Sequence, residues 1–274
     1  MLSTKSDKEL AFLHDLYIAT DWGERFAELV DEHVKLPKEG RALYIAAGTG
    51  GHAMALQERA GDKLRLLCVD ENDECLELAR VKAAALHEQT EFQREKLDTL
   101  SLNHDQFDLV LANASLIRPA DLKPMLAEMV RVAMPGATVA WWLPTFSSFG
   151  EFFSIYWEAL LGAQLEDHGV DVETLITDLP TVSDVEGWAA QSGLQGVASW
   201  TAIEEFDYES GEQFLNSPLI TDFLLQNWLQ SVPESARERV VQELVRIIDE
   251  ERHSGEFALT VKATLVVGTK GRVR

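Results

Sequence analysis

The stretch Arg41 to Leu56, RALYIAAGTGGHAMAL, constrains the architecture of this chain more tightly than any other. Ala42 to Ala47 form an unbroken apolar run, the pattern of a central parallel strand covered on both faces. Gly48, Thr49, Gly50 and Gly51 then make a tight turn in which backbone can approach a ligand without Cβ interference. His52 to Leu56 restarts as a helix whose first amides face that turn. A carboxylate about 20 residues further on, at the end of the second strand, is the expected acceptor for a ribose. Asp70 ends LRLLCVD at that distance from Gly50, with Glu71 beside it. Gly48, Gly50 and Ala53 also fit the glycine-x-glycine-x-x-alanine form of an NAD fingerprint, so the turn alone does not choose a cofactor.

The order of the remaining elements narrows the choice. Mixed apolar spacings predict a helix over residues 5–20, ending near Asp21, and Phe26, Leu29, Val30 and Val34 predict a second, closed by Pro37 and Gly40. After the glycine turn come a strand from Leu64 to Val69, a helix over DECLELARVKAAALH, a short strand from Glu91 to Arg94 and a strand from Phe107 to Ala112 that Asn113 ends. A helix carrying Met125, Leu126 and Met129 follows, and Pro135 with Gly136 turns into a strand from Thr138 to Leu143. SDVEGWAAQSG predicts a helix capped by Ser183 and stopped at Gly193. FALTVKATLVVGTK closes the chain as a strand.

This ordered set resembles the class I S-adenosylmethionine-dependent methyltransferases, in particular the type 11-like group acting on small molecules, over roughly residues 40–145. The resemblance implies a doubly wound, Rossmann-like α/β fold with a seven-stranded, mainly parallel sheet and an antiparallel last strand. Residues 1–39 become a helical cover. Residues 40–274 become the methyltransferase-like domain, with helical insertions at about 144–181 and 203–255 as a lid. The implied cofactor is S-adenosylmethionine, held by Ala46, Gly48, Thr49 and Gly50 at the turn, by Asp70 and Glu71 at the ribose, by Leu97 and Asp98 at the adenine, and by Asn113 near the methionine end. Tyr44 stands where the family usually has an acid, Ala46 where it has its first glycine, and Lys96 where it has the adenine aspartate. Ala114, Ser115 and Leu116 follow Asn113 in place of the diprolyl-aromatic motif of base and glutamine N-methyltransferases. His52 is a candidate base toward a hydroxyl acceptor, with capping or packing as the alternative. Tyr17 and Trp22 could belong to a lid or simply pack. Two other functions fit the chain: a degenerate methyltransferase fold serving as a binding or scaffold protein, and an NAD-dependent oxidoreductase.

Composition bears on partners. Twenty-four Lys and Arg against 46 Asp and Glu give a formal charge of −22, which repels phosphate backbones and anionic membrane surfaces. Nucleic acid and membrane are therefore not expected partners. Cys68 and Cys75 have neither CxxC nor metal-ligand spacing, and no metal site is expected. MLSTKSDKEL is too charged for a signal peptide, which makes a cytoplasmic protein the expectation. No sequence feature assigns an oligomeric state. From Val132 through Ala236 there is no lysine or arginine, while the same stretch holds 16 acidic residues. With the aromatics Phe149, Phe153, Tyr156 and Trp157, this predicts a small neutral or cationic, partly apolar acceptor.

Overall fold

The computed structural model describes residues 5–86, 90–251 and 255–272. The first helix, α1 (Asp7–Leu13), starts at a capping box in which the Ser6 hydroxyl accepts from the Glu9 amide and the Glu9 carboxylate accepts from the Ser6 amide. The helix expected to stop near Asp21 does not stop. It widens into a π-helical segment, His14–Gly23, and passes directly into α2 (Glu24–His33). The reason is Gly23, which stays in the right-handed helical region and gives the backbone no point of exit.

The chain then alternates as β1 (Gly40–Ile45), α3 (Gly51–Ala60), β2 (Leu64–Asp70), α4 (Asp73–Leu86), β3 (Glu91–Arg94) and β4 (Phe107–Asn113), followed by α5 (Pro119–Val132) and β5 (Ala133–Pro144). Ala46 and Ala47, read as strand from the sequence, already belong to the turn. β5 begins five residues before the expected Thr138. Phe107 pairs with Ala133 and Leu109 with Thr138, so the Pro135–Gly136 turn survives as an irregularity inside the strand. Beyond β5 lie α6 (Gly150–Gly162), α7 (Gly169–Asp178), α8 (Val182–Gln191), β6 (Leu194–Tyr208), α9 (Gly211–Asn216), α10 (Leu225–Trp228), α11 (Glu234–Glu251) and β7 (Phe257–Lys270). Thr181, not Ser183, caps α8, because Asp184 lies three residues after Thr181 and completes a capping box. The expected end of the helix over DECLELARVKAAALH, at His87, lies outside the described residues.

All seven strands form one sheet, in the order β3-β2-β1-β4-β5-β7-β6. The pairs β1–β2, β1–β4, β2–β3 and β4–β5 are parallel, and the last strand is antiparallel, as the sequence predicts. Strand order reverses between β1 and β4, which opens a crevice at their carboxyl ends. Among the described residues no helix is long and apolar enough to cross a membrane.

Two compact units divide the chain. Among the described residues, one comprises those within 5–143, 181–202 and 263–272; the other comprises those within 144–180 and 203–262. The first has a core of inward β1, β2, β4 and β5 residues, among them Leu43, Val69, Val110 and Trp141, closed by Met125, Leu126 and Met129 of α5. The second is built on aromatics. Phe152 stacks on Trp228 at 4.2 Å and lies within 5.8 Å of Phe153, Tyr156 and Phe214.

Candidate functional site

The chain leaves β1 through a turn of unusual backbone. Ala46, Gly48 and Gly50 have φ of +54°, +53° and +77°, and Gly50 is the N-cap of α3. Holding an alanine in this region costs about 1–2 kcal/mol, which the surrounding hydrogen bonds offset. Ala47 N–H donates to the Val69 carbonyl at 3.2 Å, and Gly50 N–H to the Ala47 carbonyl at 2.9 Å. Gly48 admits no side chain, because a Cβ there would lie 2.5 Å from Cε1 of His14.

Asp70 is tied to this turn. Its Oδ2 accepts from the Gly48 amide at 2.8 Å and its Oδ1 from the Asn72 amide at 2.9 Å. Burial raises its pKa, and those two amides oppose the rise. Glu71 Oε1 accepts from the Leu97 amide at 3.1 Å, so the amide assigned to adenine from the sequence is held by its neighbour in the expected set. Asp98 is exposed on the following turn.

Within the sheet-bearing unit, a cavity of about 540 Å³ occupies the crevice between β1 and β4. Of the residues expected from the sequence, Thr49, Gly50, His52 and Asn113 line it, whereas Ala46, Gly48, Asp70, Glu71, Leu97 and Asp98 do not. Trp22 also lines it and is buried, while Tyr17 is 53% exposed and does not. Trp22 Nε1 donates to Ser115 Oγ at 3.0 Å, which in turn donates to Asn113 Oδ1 at 2.6 Å. This chain fixes the end of β4 to the π-helical segment.

Sequence reasoning missed much of the wall, above all its charged residues His14, Asp15, Glu24, Glu28, Asp31 and Lys82. Lys82 pairs with Asp15 at 2.5 Å, joining α4 to the π-helical segment. Glu24, Glu28 and Asp31 follow the i, i+4, i+7 spacing of one helix face, a signal present in the sequence, and all three line the cavity.

His52 is engaged through both ring nitrogens. Nδ1 lies 2.9 Å from the Tyr44 hydroxyl and Nε2 lies 3.1 Å from Asp31 Oδ1, which Arg59 also contacts. Burial would raise the Asp31 pKa, but the hydrogen bonds from His52 and Arg59 outweigh it and hold the carboxyl below its ordinary value. Trp142 packs edge-on against both the Tyr44 and His52 rings, at 5.6 and 5.9 Å. Burial pushes the Tyr44 phenol well above its usual range. Among the described residues no cluster of His, Cys, Asp and Glu could hold a metal ion.

His14 gives the site a pH signature. Burial pulls its imidazole down to about 4, against a smaller opposing effect of Asp15. A base with a depressed folded pKa contributes stability that is present above its unfolded value of about 6.5 and is lost as the pH falls toward 4. Between pH 7 and pH 5 the protein is expected to lose on the order of 2 kcal/mol through this group. Urea unfolding of wild type and His14→Leu at both pH values checks this, since the variant should lose that much less. An equal loss in both proteins would contradict the assignment.

Comparison with known proteins adds an independent line. Residues 42–136 match the family described as methyltransferase domain. A demethylmenaquinone methyltransferase of Staphylococcus epidermidis is 28% identical over 131 residues, 47% of this chain and 54% of that protein. Norajmaline N-methyltransferase of Rauvolfia serpentina is 29% identical over 115 residues, 42% of this chain and 39% of that protein. The chain thus spans about half the length, or less, of these curated relatives. Among solved structures, Haemonchus contortus phosphoethanolamine N-methyltransferase 2 in complex with S-adenosyl-L-methionine superposes with a TM-score of 0.57 at 14% identity, covering 97% of this chain and 58% of that one. At that identity the likeness is one of fold.

Proposed function

We propose, from the match of residues 42–136 to the methyltransferase domain family, that the protein transfers a methyl group from S-adenosylmethionine to a small neutral or cationic, partly apolar acceptor. The observation that carries this reading is the cavity at the β1–β4 crevice, bounded by the glycine turn and by the carboxylate face of α2. The residues present fit the cofactor. Thr49, Gly50 and Gly51 bring backbone to the cavity, and Asp70, which does not line it, is joined to the same turn through the Gly48 amide; a carboxylate has about four lone-pair sites, so Asp70 keeps acceptor capacity for ribose hydroxyls after binding two amides.

When bound, S-adenosylmethionine supplies an electrophilic methyl group on a sulfonium. The chain's contribution is orientation and exclusion of water, which can account for most of the rate of an in-line displacement. Trp22, Ser115 and Asn113 hold the wall of the cavity rigid. The preference for a neutral or cationic acceptor is supported by Glu24, Glu28 and Asp31 at the wall. It draws no support from the aromatic cluster, because Phe149, Phe153 and Tyr156 are buried in the core of the other unit.

Titration calorimetry with S-adenosylhomocysteine tests the cofactor. Binding is expected for the wild type, and Asp70→Ala should weaken it by about tenfold or more through loss of charge-assisted hydrogen bonds. Absence of heat at millimolar ligand would overturn the proposal. For the acceptor, a panel followed by S-adenosylhomocysteine release should favour amines and neutral compounds over phosphorylated or carboxylated ones.

A further inference from the structure

Asn113, Ser115 and Trp22 fix one another's polarity at the wall of the cavity. A backbone amide and an indole N–H can only donate, and this decides every proton in the series. The Ser115 amide donates to the Asn113 side chain at 3.1 Å, the contact of an Asx-turn, so the atom it meets is the carboxamide oxygen. Trp22 Nε1 donates to Ser115 Oγ at 3.0 Å, and the hydroxyl hydrogen is left for Asn113 Oδ1, 2.6 Å away. Both lone pairs of Oδ1 are thereby used. Among the described residues no group accepts from the Asn113 Nδ2, so its two hydrogens are what the residue has to offer the cavity it lines. Trp22 and Ser115 are 1% and 4% exposed, and neither can turn away to reverse the order.

We propose that Asn113 selects the methyl acceptor by donating from Nδ2 to a neutral hydroxyl or carbonyl oxygen on it, with Ser115 and Trp22 as positioning residues. The proposal rests on the methyltransferase reading and narrows its acceptor class. Asn113 ends β4 and Asp70 ends β2, with β1 and its glycine turn between them, so two strand spacings, about 10 Å, separate the two strand ends. A ribose held at Asp70 therefore lies across the turn from Asn113. The oxygen belongs to a neutral group. Carboxylate and phosphate oxygens also accept from an amide, but Glu24, Glu28 and Asp31 line the same cavity and repel them. An ammonium suits those carboxylates, yet it would bring only hydrogens to Nδ2, and two donors that face each other leave a desolvated polar group unpaired. A cationic group elsewhere on the acceptor stays compatible with both features.

The test uses cyclohexanone and cyclohexylamine, rings of one size that present only lone pairs or, as the ammonium, only hydrogens. Each is titrated to millimolar concentration into the full chain saturated with S-adenosylhomocysteine. Proton–nitrogen correlation NMR follows the side-chain amide signals of Asn113, identified as the pair that disappears in Asn113→Asp. Cyclohexanone is expected to move them downfield, and cyclohexylamine to leave them in place. Asn113→Asp keeps the Ser115 contacts but turns an oxygen to the cavity. In it cyclohexanone should bind about tenfold more weakly, and the preference should pass to cyclohexylamine. Ser115→Ala should narrow the preference severalfold, because Oδ1 regains a lone pair and the carboxamide is free to turn over, whereas Ser115→Thr, which keeps the hydroxyl, should retain it. S-adenosylhomocysteine should bind all four proteins alike. No downfield shift with cyclohexanone, or an unchanged preference in Asn113→Asp, overturns the proposal. So does a tenfold loss of S-adenosylhomocysteine affinity in Asn113→Asp, which would make Asn113 a contact of the methyl donor. Failure of S-adenosylhomocysteine to bind the wild type would instead remove the methyltransferase reading itself.

Discussion

Substituting valine for Gly48 is expected to abolish measurable binding of S-adenosylhomocysteine, a loss of about 100-fold or more. Two effects add. The position has φ of +53°, a region in which a β-branched residue is strained by about 1–3 kcal/mol. A Cβ would also stand 2.5 Å from the His14 ring, a distance real side chains do not adopt. His14 belongs to the tightly packed π-helical segment, with Ile18 and Trp22 both 1% exposed, so it cannot retreat without opening the cavity wall. The backbone must therefore leave its present path, and the amide that Asp70 holds moves with it. Calorimetry reads the affinity, and circular dichroism separates a displaced turn from global unfolding. Binding at wild-type strength would show that the turn is not the ligand contact.

The second large effect is thermodynamic. Phe152→Ala is expected to destabilise the unit it belongs to by about 3–5 kcal/mol, measured by urea unfolding of the full chain. Phe152 is fully buried, and its ring is shared by four partners, Phe153, Tyr156, Phe214 and Trp228. Four rings converging on one position leave no flexible side chain able to collapse into the space, and the aromatic pairings are lost along with the buried area. A loss under about 1 kcal/mol would mean that the neighbours repack, and the cluster would then be fluid rather than a fixed core.

Much of the sheet-bearing unit could be read in advance because its signals are local. The strand that feeds the glycine turn, though two residues shorter than read, the carboxylate ending LRLLCVD, the four-residue strand Glu91–Arg94 and the strand ended by Asn113 stand where the sequence puts them. Each is encoded by a few adjacent residues whose periodicity and turn chemistry agree. The errors occurred where two neighbouring signals compete. Ser183 and Thr181 are both competent caps, and only the reciprocal partner Asp184 selects Thr181. Pro135–Gly136 can end a strand or interrupt one, and the pairing with β4 makes it an interruption.

The site divides along the same line. By itself the sequence determined the glycine turn and the residues Asp70 and Asn113 that end two of the strands, since these follow from spacing along a strand and from turn chemistry. Only the tertiary structure decided that His14 covers Gly48, that Glu71 takes the Leu97 amide and that Asp31 completes a series through His52 to Tyr44. Those contacts join residues 8 to 34 positions apart. The two that reach the N-terminal helices, at His14 and Asp31, exist because a π-helical segment with no break at Gly23 carries those helices along the crevice. Hydrogen bonds and burial act through space, and which groups meet depends on that path, which no local pattern of residues specifies.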